Sequence, residues 1–233
     1  MDAPARFPLT VPALPSAVTA WEAAYSRFET AEEEIAKFTG RLQRLGASSW
    51  DSDCEIVELF CGRGNGLVAL HRLGFARIEG VDLSAALLAQ YCGPARCHVA
   101  DCRTLPFNDN SKDVMIIQGG LHHLHVLPDD LDQCLREIHR VLKPTARVVI
   151  VEPWRTLFLS VVHRLCELQL ARYLWPKLDA LATMIEHERG TYFQWLSQPG
   201  CVSDMLDRYF ITGCNVRRWG KLMFTGQKRI EIV

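Results

Sequence analysis

Between Ile56 and Gly66 the chain reads IVELFCGRGNG, an apolar run carrying one acid and then three glycines within five positions. An apolar run without polar alternation reads as a strand buried on both faces. Glycine loses more backbone entropy on folding than any other residue, so a cluster marks a tight turn or a close approach of backbone to ligand. Helical spacing begins at once, over residues 66–73. Strand, glycine turn and helix in direct succession make the opening unit of a parallel α/β layer, since a parallel neighbour needs a crossover between strands.

The same alternation continues. Apolar runs at 56–60, 78–81, 114–118 and 148–151 read as buried strands, with a weaker one at 96–100. Helical patterns fill the gaps at 66–73, 85–91 and 131–141. Right-handed crossovers then put every strand's C-terminal end on one rim, where ligands bind in such sheets. Past Pro153 the alternation stops: 156–185 is mostly helical with a break at Pro176, Pro199-Gly200 punctuates, and two strands at 209–216 and 221–227 form a closing hairpin. The fold expected is α/β, a doubly wound and mostly parallel sheet with a C-terminal antiparallel hairpin. Ahead of it, residues 1–15 carry four prolines and read as an extended arm, and 19–45 reads as helix. Residues 1–50 are expected to form an arm and helix packing over the ligand site, and 51–233 the main domain with a helical insertion at about 154–200.

The bulk numbers narrow the function classes. A chain of 233 residues with 48% hydrophobic residues can bury one sizeable core. A net charge of −1 offers no electrostatic footprint for nucleic acid. Nine cysteines form an odd count without a Cys-x-x-Cys pair, which suggests free thiols in a reducing, cytoplasmic setting.

Gly62, Gly64 and Gly66 give G-x-G-x-G rather than the G-x-G-x-x-G of a dinucleotide fingerprint, which counts against a nicotinamide cofactor. Asp82 follows Gly62 by twenty positions at the end of a strand, where an acid can accept from ribose hydroxyls. Glu58 adds a carboxylate just before the turn, which suits a cation better than a pyrophosphate. A positively charged sulfonium carrying an amino acid and a ribose fits this set.

At this point the chain resembles the class I S-adenosylmethionine-dependent methyltransferases, a Rossmann-like family, in the group acting on small molecules. VELFCGRG is similar to the family's first motif and GVDLS to its second, with ADCRTLPFNDNSKDVMIIQGGLHHL and REIHRVLKPTARVVIVEP following in order. The resemblance implies the loop Phe60, Cys61, Gly62 and Gly64 beside the methionine part, with Glu58 supporting that end. It implies Asp82 on the ribose, Leu83 against the adenine, Asp101 accepting from the adenine amino group, the Cys102 N–H on a ring nitrogen, and Gln118 on the floor near the methionine. Phe60 stands where the family has the first glycine, so the turn must be made with a bulky side chain.

HHLH at 122–125 falls on the rim that the resemblance assigns to the acceptor. Adjacent histidines on a short loop point apart, and no carboxylate or cysteine sits at ligand spacing, so no metal is expected. His123, then His122, are the candidates for a general base, with a loop-holding structural role as the competing reading. The acceptor is expected to be a small, apolar organic molecule methylated on oxygen, with nitrogen and carbon open. A non-catalytic binding or partner protein and, behind it, a nicotinamide oxidoreductase are the rivals. The apolar stretch 154–195 reads as core packing, as a lid over the acceptor or as a helix on lipid, in that order, and membrane contact is not expected.

Overall fold

The computed structural model describes residues 16–230; the proline-rich arm expected over 1–15 lies outside the described residues. Helices α1 (Ser16–Phe28) and α2 (Ala31–Arg44) come first. The helical spacing over 19–45 runs on without a break, but the chain restarts at Thr30. Its hydroxyl accepts from the Glu33 N–H at 3.2 Å, and the Glu33 carboxylate accepts from the Thr30 N–H at 2.8 Å. That reciprocal capping box begins a second helix.

The alternating part is β1 (Ile56–Leu59), α3 (Asn65–Arg72), β2 (Ile78–Asp82), α4 (Ala85–Leu88), β3 (Arg96–Val99), β4 (Lys112–Gln118), α5 (Asp129–Val141) and β5 (Leu142–Pro153). Helices α6 (Leu157–Cys166), α7 (Gln169–Leu174), α8 (Pro176–His187), α9 (Arg189–Ser197) and α10 (Pro199–Tyr209) follow, then β6 (Phe210–Arg218) and β7 (Lys221–Lys228). Pro176 and Pro199 each open a helix, where the missing N–H costs nothing and the fixed φ is already helical.

The seven strands lie in the order β3-β2-β1-β4-β5-β7-β6. Strand β7 inserts between β5 and β6 and runs antiparallel to both, so β6 points the same way as the parallel strands. Strand order reverses between β1 and β4, and the crevice at their C-terminal ends is the switch point where such sheets bind ligands.

Two apolar layers sandwich the sheet, and β4 feeds both by simple alternation. Met115 and Ile117 face Leu135 and Ile138 of α5, while Val114 and Ile116 face Leu67 and Leu70 of α3. Each such side chain, fully removed from water, stabilises the fold by roughly 1.5–3 kcal/mol. Core packing, expected across 154–195, holds for Trp154 and for α8 and α9; α6 and α7 have no fully buried side chain, and Leu159 of α6 packs half-buried against the core.

Candidate active site

The glycine turn leaves β1 through Phe60, whose φ of +56° is left-handed backbone that a side-chain-bearing residue enters at a cost of roughly 1–2 kcal/mol. Its ring covers Gly120 so closely that a Cβ there would fall 2.2 Å from Phe60 Cγ. Cys61 turns its thiol onto Gly80, and burial, with Glu58 and Asp82 near, pushes that thiol above its ordinary range. Both side chains are committed to packing; what they offer a ligand is backbone. Gly62 and Gly64 then take φ values of +52° and +80°, which glycine alone adopts freely.

Glu58 is buried under the first turn of α3. A Cβ on Gly66 would come 2.0 Å from Glu58 Oε1, so only glycine lets the helix start there. Gln118 Nε2 donates to the same oxygen at 3.3 Å. Glu58 Oε2 and Gln118 Oε1 are buried and have no hydrogen-bond partner among the described residues. Burial pushes the Glu58 carboxyl up to about 8, with the Gln118 hydrogen bond pulling it down and the charge of Glu34 adding to the rise. With the Glu58 carboxyl ionised, these two oxygens form a pair of acceptors suited to a cation.

Asp82 closes the other side of the turn. Its Oδ2 accepts from the Gly62 N–H and its Oδ1 from the Ser84 N–H, each at 2.8 Å, and both oxygens retain a lone pair for a further donor. Leu83 stands 65% exposed beside it, and Val99, opposite Asp82 in the β2–β3 register, is 60% exposed. Two bare apolar side chains flanking a carboxylate suit a flat base attached to a sugar.

Asp101 is already engaged within the chain. Arg103 grips both of its oxygens, at 3.0 Å through Nε and 2.7 Å through Nη2, and passes its third nitrogen to Asp130 at 2.7 Å. The guanidinium holds the Asp101 carboxyl below its usual range, and any amino group would share acceptors already engaged. Cys102 is buried in the same core cluster as Cys134. The nine cysteines are free thiols.

After β4 a short 3₁₀ turn presents His122 and His123 with ring centres 4.1 Å apart. Fully buried Glu152 of β5 anchors that turn: Oε1 accepts from the Gly120 and Leu121 N–H groups at 2.7 and 2.8 Å, and Oε2 meets His122 Nδ1 at 2.7 Å. Glu188, at the junction of α8 and α9, approaches His122 Nε2 at 3.6 Å and His123 Nδ1 at 3.8 Å. Burial alone would lower His122, yet Glu152 and Glu188 outweigh it and raise it to about 9. Burial and the neighbouring imidazolium pull His123 down to about 4, although 38% of its side chain reaches solvent. One histidine is therefore charged at neutral pH and the other neutral. His122, already protonated, starts in the wrong state for a base.

No carboxylate sits at ligand spacing from these histidines along the sequence, but the fold brings Glu188 to them from the insertion. His122, His123 and Glu188 bring three possible ligand atoms within 4.8 Å of one another, and the two carboxylates around a protonated His122 account for that approach as ion pairing. Asp82 ends β2 and the histidine turn follows β4, so both stand at the C-terminal rim of the parallel strands.

Two further ionisable groups, Glu34 and Lys221, were not singled out from the sequence. Glu34 of α2 is buried, accepts from the Tyr25 hydroxyl, and takes a 2.7 Å hydrogen bond from Asn65 at the start of α3. Trp21 stacks on Tyr25 at 5.0 Å, and the Arg63 guanidinium lies 5.7 Å from the Tyr25 ring centre. Lys221, first in β7, lacks an ion-pair partner among the described residues, and burial lowers its ammonium to about 8.

Residues 57–150 match the family model described as a methyltransferase domain. A 2-phytyl-1,4-naphtoquinone methyltransferase from Nostoc sp. (strain PCC 7120) is 36% identical over 187 residues, covering 76% of this chain and 74% of that protein. A demethylmenaquinone methyltransferase from Lactiplantibacillus plantarum is 32% identical over 123 residues, 48% of this chain and 50% of its own length. The chain thus spans between half and three quarters of these two relatives. Among solved structures, the PH0226 protein from Pyrococcus horikoshii OT3 superposes with a TM-score of 0.66 at 17% identity, covering 90% of this chain and 98% of that one, a likeness of fold.

Proposed function

The chain belongs to the class I S-adenosylmethionine-dependent methyltransferases, and from that premise we propose that it methylates a hydroxylated, apolar small molecule with His123 receiving the hydroxyl proton. The residues present fit the family's cofactor: the unpartnered Glu58 Oε2 and Gln118 Oε1 suit an α-ammonium, and Asp82 keeps free lone pairs for a ribose. When bound, S-adenosylmethionine supplies an electrophilic methyl group on sulfur. Gly62 and Gly64 let backbone pass close to it, Leu83 supplies an apolar wall, and the Cys102 N–H completes the base contacts. Helices α1 and α2 cover this end through Tyr25, Glu34 and Asn65.

The chain's own contribution to the reaction is placement and one proton. The acceptor sits between the turn after β4 and the α8–α9 junction. His123 is neutral over the physiological range, and Glu188 at 3.8 Å stabilises it once protonated. His122 stays charged between Glu152 and Glu188 and holds the turn; it is a positioning residue. Oxygen is the first acceptor atom under this reading. The names of the relatives point to naphthoquinone-type rings, where loss of a hydroxyl proton also activates the neighbouring carbon, so one base serves either atom. The observation that carries the reading is the neutral His123 facing Glu188 on the rim that Asp82 shares.

Assay of methyl transfer to a 1,4-naphthohydroquinone, with NMR of the product to separate ring-carbon from oxygen methylation, tests it. His123→Ala should lower kcat about 10- to 100-fold with KM nearly unchanged. The acid limb of the wild-type kcat profile should fall near pH 4 rather than near 6.5. Unchanged kcat in the variant would make His123 a loop residue only.

Glu58 supplies a second prediction. With its carboxyl raised to about 8, it holds a proton at pH 7 in the free protein and gives it up when an ammonium arrives. Calorimetric titration of S-adenosylhomocysteine in buffers of different ionisation enthalpy should show net proton release at pH 7, and affinity should rise between pH 6 and 8. A heat independent of buffer would show that Glu58 is ionised already.

A further inference from the structure

Helices α6 and α7 are the part of the fold the methyl-transfer reading leaves unused. Neither has a fully buried side chain, although both are rich in apolar residues. Leu157, Phe158, Leu170, Tyr173 and Leu174 are between 47% and 90% exposed, and Trp219 of the β6–β7 turn, 62% exposed, stands edge-on to Phe158 at 5.3 Å. An exposed set of this size is more than the scattered surface residues of an ordinary monomer.

We infer that α6, α7 and the Trp219 turn form a docking face for an anionic lipid surface, on which the helices lie flat. Charge decides the occupant. Between Trp154 and Trp175 the chain carries Arg155, Arg164 and Arg172 against a single acid, Glu167; Arg172 is paired with Asp179 and Glu186 of α8, which leaves Arg155 and Arg164 to set the charge of the face. Arg155 and Arg164 are exposed and have no carboxylate partner among the described residues, and the Arg218 guanidinium lies 5.1 Å from the Trp219 ring centre. Aliphatic side chains flanked by Trp, Tyr and unpaired arginine are the composition of an interfacial helix. A second copy of this chain fits less well, because a self-complementary contact would bury two sets of these arginines with Glu167 as the one acid of the stretch to pair them. The helices have 10 and 6 residues, and no helix among the described residues is long and apolar enough to cross a membrane, so the face rests on lipid without spanning it. This goes against the sequence-based expectation of no membrane contact, which had no means of telling that α6 and α7 would be left uncovered.

The inner side of α6 leads to the candidate site. His163 Nε2 lies 3.1 Å from the Tyr192 hydroxyl, and the Tyr192 ring packs edge-on to His122 at 5.9 Å. An apolar acceptor dissolved in lipid would therefore enter one helix away from the histidine pair. That clause rests on the proposed acceptor; lipid docking itself does not.

Flotation with vesicles tests the inference, using phosphatidylcholine alone and phosphatidylcholine mixed with phosphatidylglycerol, at low and high salt. The wild-type chain should float with the mixed vesicles and release as salt rises. Leu157→Ser with Leu174→Ser, and separately Arg155→Gln with Arg164→Gln, should each weaken binding roughly tenfold. Affinity for S-adenosylhomocysteine, measured alongside, should stay at the wild-type value in both variants, which separates this outcome from failure of the methyl-donor site. Wild-type protein that ignores both vesicles, or a leucine variant that floats as well as wild type, overturns the inference. A dimer in sedimentation velocity that the leucine pair abolishes, without vesicle binding, would give the face to a second copy and overturn it equally.

Discussion

Replacing Asp82 with alanine should weaken S-adenosylmethionine binding at least about 100-fold, because two hydrogen bonds to a charged acceptor are worth roughly 1.5–3 kcal/mol each. The same carboxylate also holds the Gly62 and Ser84 N–H groups at 2.8 Å, so the variant loses loop order as well as ligand contacts. Asp82→Asn separates the two. It keeps the shape and one acceptor but turns an amide NH₂ toward a backbone donor, and it should recover only part of the affinity. Calorimetry with S-adenosylmethionine and S-adenosylhomocysteine reads both effects, and thermal unfolding checks that the fold survives. Equal affinity in wild type and Asp82→Ala would remove Asp82 from the site.

The second large effect concerns Glu152. Alanine there strands a buried imidazolium and leaves the Gly120 and Leu121 N–H groups without an acceptor, which should cost about 3–5 kcal/mol, much of a typical domain's 5–15 kcal/mol. Glu152→Gln keeps the shape and should cost less, while His122 loses its main counter-charge. The pH dependence follows from the direction of the shift. His122 is raised from 6.5 to about 9, so this pairing contributes stability in full below pH 6.5 and loses it as pH rises through about 9. The amount at stake is roughly 3 kcal/mol. Urea unfolding at several pH values should show that decline in wild type and a flatter curve in Glu152→Gln. Parallel curves would mean that His122 is neutral in the folded chain.

Much of this was legible in the sequence because it is encoded locally. Two-faced burial makes β1, β2, β4 and β5 continuous apolar runs, and the glycines at 62, 64 and 66 appear where the backbone needs left-handed φ or the closeness of Glu58. What failed to show depends on distance along the chain. Insertion of β7 between β5 and β6 is a pairing choice between remote segments, and a hairpin pattern alone is silent on which edge it joins. Glu152 stands as an acid in the apolar run VVIVEPW, a signal of a paired buried charge, but its partner lies thirty residues earlier. Glu188 reaches the histidines only because α8 and α9 fold back over the rim. Arg103 was within reach of sequence reasoning, two residues from Asp101, and a guanidinium at that spacing competes directly with a ligand amine. The apolar stretch 154–195 shows the remaining limit: hydropathy reveals which side chains avoid water, and not whether protein, acceptor or lipid covers them.

A co-crystal with S-adenosylhomocysteine is the most direct measurement of the central claim. The ribose hydroxyls should lie within hydrogen-bond distance of the Asp82 carboxylate, with the α-ammonium against Glu58 and Gln118 and the base beside Leu83. A ligand bound elsewhere, or a crevice at Gly62 and Asp82 that stays closed by packed side chains at saturating ligand, would contradict it.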